Sequence, residues 1–118
     1  MRIFLGLTIG LAALPAWGFE GRYEGEAKFV VGRRFCPVQG PALTFEVSQN
    51  GKVIGGAKTQ NQAVPFSGTV GPDGKLTATY KAALDTDPMS IEAMLTDKLL
   101  EGFTQSPNCK YKISFERQ

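Results

Sequence analysis

Apolar and polar positions alternate along most of this chain, and the alternation is clearest at its two ends. From Tyr23 to Val31 the odd positions are apolar or small, whereas Glu24, Glu26 and Lys28 fall between them. That is the period of a half-buried strand. The last segment repeats it, with Cys109, Tyr111, Ile113 and Phe115 on one face and Lys110, Lys112, Ser114 and Glu116 on the other. Between the two lies a weak internal repeat: Lys52, Lys75 and Lys98 recur every 23 residues, each preceded by a turn residue (Gly51, Gly74, Asp97) and followed by an apolar one (Val53, Leu76, Leu99). Upstream of each lysine, alternate positions read Leu43/Phe45/Val47, Phe66/Gly68/Val70 and Met89/Ile91/Ala93. Three hairpins follow from this register.

Their turns carry suitable chemistry. Asn50-Gly51 and Pro72-Asp73-Gly74 are strong hairpin signals because Asn and Gly tolerate positive φ, and Thr96-Asp97-Lys98 is a weaker one. In the first hairpin a three-residue Gln49-Asn50-Gly51 loop sets Leu43, Phe45 and Val47 opposite Ala57, Gly55 and Val53 and leaves Ile54 exposed. A two-residue turn would set Leu43 against Lys58. In the third, Leu99, Glu101 and Phe103 compete with Leu100 and Gly102 for the inner face, which a bulge near Leu99-Leu100 would reconcile.

Eight strands result, with no convincing helix. The expected fold is all-β, an eight-stranded antiparallel up-and-down β-barrel, because closing the first strand on the last removes both exposed edges. A two-layer β-sandwich of the same strands is the alternative.

Composition adds a compartment. Met1-Arg2, the uncharged stretch Ile3 to Trp17 and the small residues Ala16 and Gly18 form a secretory signal pattern. Residues 1–18 are therefore expected to be a leader and residues 19–118 one domain, periplasmic or secreted, with no membrane insertion after cleavage. In an oxidising compartment two cysteines pair, so Cys36 and Cys109 are expected to form a disulfide. Closing an even-numbered meander brings the end of the first strand beside the start of the last, which is where these two cysteines lie.

Chemistry is excluded more readily than assigned. The chain has no histidine, so every His-dependent triad and zinc motif is absent. A net charge of +2 gives no electrostatic reason to expect nucleic acid. Glu24 and Glu26 sit about 6.8 Å apart by the strand rise, but on one outward face rather than across a cleft. Asp85-Thr86-Asp87 lacks the Gly and distal Glu of an EF-hand loop and reads as a polar turn. No catalytic residue, metal site or cofactor is expected.

The proposed inner faces mix large residues (Tyr23, Phe29, Phe45, Phe66, Tyr80, Phe103, Tyr111, Phe115) with small ones (Gly25, Ala27, Gly55, Ala57, Gly68, Ala78, Ala93). An eight-stranded barrel is close to the size at which the interior is either filled or holds one small ligand. The small residues either leave a pocket or let the strands coil beneath packed aromatics. Tyr23, Phe45, Phe66, Tyr80, Phe103 and Tyr111 are the candidate ligand-facing residues. Arg33, Arg34 and Phe35, beside Cys36 in the longest loop, are a candidate partner contact or a solvated surface pair.

The Gly-Lys-Val/Leu strand starts (Gly51-Lys52-Val53, Gly74-Lys75-Leu76) and the hydrophobic-x-Gly strands (Val53-Ile54-Gly55, Phe66-Ser67-Gly68) resemble small exported bacterial β-meander domains with one disulfide. More distantly the layout resembles the calycin architecture of avidins and lipocalins, which implies a ligand in the barrel mouth. Biotin binding is not carried over, because avidin's pocket depends on several tryptophans and Trp17, the only one here, falls in the leader. Periplasmic inhibitors of lysozymes or proteases also use small disulfide-linked barrels, though no inhibitor motif is present. The expected function is a non-enzymatic exported binding module for a small apolar or amphipathic ligand or an envelope protein. The alternative is a hydrolase inhibitor acting through Gly32 to Pro41 or Leu84 to Met89.

Overall fold

Eight strands run in succession through the computed structural model, which describes residues 19–32, 36–59, 62–81 and 87–118. They are β1 (Gly21–Gly32), β2 (Gln39–Val47), β3 (Lys52–Lys58), β4 (Ala63–Val70), β5 (Lys75–Tyr80), β6 (Met89–Leu95), β7 (Leu99–Gln105) and β8 (Cys109–Glu116). Each pairs antiparallel with the next, and β1 pairs with β8, so the sheet is a closed up-and-down barrel rather than a sandwich. The expected leader, residues 1–18, lies outside the described residues.

The turns follow the sequence chemistry. Leu43, Phe45 and Val47 face Ala57, Gly55 and Val53, the register that the three-residue loop requires. In this loop Gly51 has φ 83°, and the Asn50 carboxamide oxygen accepts hydrogen bonds from the Ser48 hydroxyl (2.7 Å) and the Lys52 amide (3.1 Å). Pro72-Asp73-Gly74 repeats the design one hairpin later: Gly71 N–H donates to the Lys75 carbonyl, Asp73 Oδ1 accepts from Lys75 N–H at 3.1 Å, and Gly74 has φ 90°. A Cβ on Gly74 would also run into the carbonyl of Leu95 and approach the Phe19 ring at 3.1 Å. Backbone strain and a clash with backbone therefore coincide there. Gly74→Ala is expected to cost roughly 1–3 kcal/mol, read as a lower denaturant midpoint at unchanged m-value.

One expected irregularity is in another strand. β7 pairs without a break to both β6 and β8, so there is no bulge at Leu99-Leu100. Its even positions Leu100, Gly102 and Thr104 take the inner side, and Phe103, expected inside, faces out at 37% exposure. The register shifts occur in β1 instead, between Glu26 and Lys28 against β2 and between Phe29 and Val31 against β8. A bulge increases local twist, which helps a long strand curl into a closed barrel. It also ends the simple alternation: Phe29, Val30 and Val31 are all exposed, so Phe29 is a rim residue and not part of the buried core.

Candidate functional site

The two ends of the barrel differ. One is sealed by the short hairpins and by the N-terminal segment, where the Tyr23 hydroxyl donates to the Phe19 carbonyl at 3.3 Å. At the other lie the last residues of β1, β3, β5 and β7, the first residues of β2, β4, β6 and β8, and the disulfide. Gly32 and Cys109 are register partners across the closing seam, and Cys36 bonds to Cys109 with Cα atoms 5.7 Å apart. A second tie holds Pro37, two residues before β2, to β8: the Tyr111 hydroxyl donates to the Pro37 carbonyl at 2.7 Å. Phe29 stands edge-on to Tyr111, with ring centroids 5.8 Å apart.

The interior below this mouth is occupied by the protein itself. Phe115, Phe45, Phe66 and Tyr80 form a continuous aromatic column, with successive centroids 6.3, 5.4 and 5.8 Å apart. Two of the small inward residues, Gly25 and Gly55, are seats of those rings, and Gly68 packs against β5. A Cβ on Gly25 would come within 2.6 Å of the Phe115 ring, one on Gly55 within 2.7 Å of Phe66, and one on Gly68 within 2.7 Å of Ala78 Cβ. Of the six candidate ligand-facing residues, Phe45, Phe66 and Tyr80 thus share one column and Tyr111 sits at the disulfide mouth. The Tyr23 hydroxyl points to the opposite end, and Phe103 lies on the outer wall. Arg33, Arg34 and Phe35 lie outside the described residues, as do Asp85 and Thr86.

Thr104 is a core residue that the sequence pattern concealed. Its side chain is fully buried and its hydroxyl has no hydrogen-bond partner among the described residues. It lies close enough to Tyr80 to favour the phenolate without reaching hydrogen-bond geometry. Burial pushes the phenols of Tyr23, Tyr80 and Tyr111 above their ordinary value of 10.0, opposed at Tyr23 by Arg117 and at Tyr80 by Thr104. For an acid whose folded pKa exceeds its unfolded one, the unfolded chain loses its proton first as pH rises. The tyrosines therefore leave stability intact below pH 10.0 and erode it above that pH, until the folded phenols also ionise. Phenolate absorbance is expected to appear together with unfolding on alkaline titration, and Tyr80→Phe should shift that transition to higher pH.

Two depressions of the outer wall are lined by described residues. One, about 340 Å³, crosses β4–β6 and is lined by hydroxyls such as Thr69, Thr77 and Ser90. The other, about 260 Å³, lies at the disulfide end between Val31 and Gly32 on one side and Gln105 to Lys110 on the other. Beside it the Lys110 ammonium lies 4.2 Å from the centroid of the exposed Phe103 ring, a cation–π contact. No protein-family model, curated protein or solved structure matches the chain.

Proposed function

We propose that this protein is a non-enzymatic exported binding module that engages an envelope protein through the disulfide end of its barrel. One observation carries the reading. Among the described residues, five of the seven exposed large apolar side chains (Phe29, Val30, Val31, Val38 and Phe103, the others being Ile54 and Met94) belong to β1, the β1–β2 connection or β7 near this end. Exposed apolar residues gathered in one place mark a contact surface, whereas scattered ones do not. The aromatic column makes the interior poor ground for a guest. The disulfide supports export, since such a bond persists in oxidising compartments.

A second reading has one observation of its own. The Thr104 hydroxyl, without a partner among the described residues and close to Tyr80, would suit the polar group of a small amphipathic ligand. Native mass spectrometry of protein isolated from its own host separates the two. The expected result is a protein bound at one-to-one stoichiometry and lost in the Val31→Glu/Val38→Glu variant without change in Tm. A retained small molecule with no protein would overturn the leading reading. A hydrolase as the bound protein would make the module an inhibitor.

A further inference from the structure

The outer face of the seam joining β7, β8 and β1 combines charge and apolar surface in a fixed order. Phe103 is the register partner of Lys112, Lys112 is the partner of Lys28, and Lys110 is the partner of Val31. Two lysines opposed directly across a strand pair destabilise the sheet that carries them. Of these lysines only Lys28 forms an ion pair among the described residues, with Glu26 at 3.6 Å, and both side chains are well exposed. Lys110 and Lys112 form no ion pair with the described residues. The chain as a whole is nearly neutral at +2, and here three lysines gather on the β8–β1 side of an exposed aromatic ring, whose register partner on the other side is Glu92 of β6.

We propose that this face, built from Phe103, Lys110, Lys112, Lys28 and Val31, docks an extended acidic segment of a partner protein, with an apolar side chain set between its carboxylates. The proposal rests on the protein-partner reading above and specifies what the partner presents. The match is one of spacing. Lys110 and Lys112 are two residues apart on one strand face, about 6.8 Å along the strand, and an extended segment with acidic residues at alternate positions repeats that distance. Phe103 offers its exposed ring beside them, and the depression of about 260 Å³ beyond Val31 and Lys110 can take a further side chain. A closed barrel has no free strand edge, so the segment is held by side chains and not by addition of a strand. A membrane surface fits less well, because recognition of anionic lipid by sequence-clustered charge takes about four to eight basic residues. A nucleic acid fits poorly with so small a net charge.

The test uses the oxidised chain and a fluorescein-labelled peptide alternating glutamate and leucine, followed by anisotropy. Saturable binding that weakens with salt is expected, with the glutamine counterpart of the peptide about tenfold weaker or worse. The Lys110→Glu/Lys112→Glu double variant and Phe103→Ser should each lose about tenfold in affinity while the barrel stays folded by circular dichroism, with Lys112→Gln falling between. Absence of binding, or equal affinity in the double variant, overturns the proposal. So does tighter binding to phosphatidylglycerol vesicles or to a single-stranded oligonucleotide than to the peptide. A host protein that still co-purifies with the double variant would leave the protein-partner reading standing and remove this face from it. Peptide binding as expected, with no protein partner in the host, would do the reverse.

Discussion

Replacing both cysteines, as Cys36→Ser/Cys109→Ser, is expected to lower Tm by roughly 15–30 °C in calorimetry under non-reducing conditions. The magnitude follows from the length of chain enclosed. The bond joins residues 73 apart, and a loop of that length restricts the unfolded chain by roughly 4 kcal/mol in the entropy model. In a folded segment of about 100 residues each kcal/mol is worth roughly 4–8 °C. The native state should lose order locally as well. The closing seam has four register pairs and one irregularity, whereas β7 and β8 share seven pairs in unbroken register. Amide exchange in the variant should therefore quicken first at Val31, Gly32 and Lys110, and only later in β4 to β7. A fall of less than about 5 °C would show that the Tyr111–Pro37 hydrogen bond and the β1–β8 ladder close the barrel without the sulfur bridge.

The barrel was legible in the sequence wherever one rule acted alone. Alternation placed Tyr23, Phe45, Phe66, Tyr80, Tyr111 and Phe115 inside, and turn chemistry fixed the β2–β3 register to the residue. The cysteine positions identified which strands meet. Legibility failed in β1 and β7, for different reasons. A bulge inserts a residue without any compositional mark, so nothing in Lys28-Phe29-Val30-Val31 announces that the strand leaves the core there. In β7 both faces carry apolar residues. Hydrophobicity favours Phe103, but the inner position opposite Ala93 is too tight for any side chain: a Cβ on Gly102 would lie within 2.7 Å of Ala93 Cβ. Packing against β6, which periodicity cannot sense, decided the face. Thr104 was carried inside as a consequence, and the surface group of Phe103 and Lys110 was created by the same choice.

Phe45 and Phe103 were both candidate inward aromatics in the sequence, Phe103 in competition with Leu100 and Gly102 for the inner face, and their truncation to alanine should now differ widely. Phe45 is fully buried between Phe66 and Phe115, with a glycine, Gly55, as its register partner on β3. No neighbour of that column can move into the space without breaking another ring contact, so Phe45→Ala is expected to cost about 3–5 kcal/mol by chemical denaturation. That is a large share of the roughly 5–15 kcal/mol that holds a domain folded. Phe103→Ala removes a half-exposed ring and one cation–π contact, worth about 1 kcal/mol or less. The comparison reaches past stability. A cost below about 1.5 kcal/mol at Phe45 would mean that the interior has slack, since well-packed large-to-small changes exceed that value. An interior with slack could admit a small molecule, and the case for placing the working surface on the outside of the barrel would then weaken at its root.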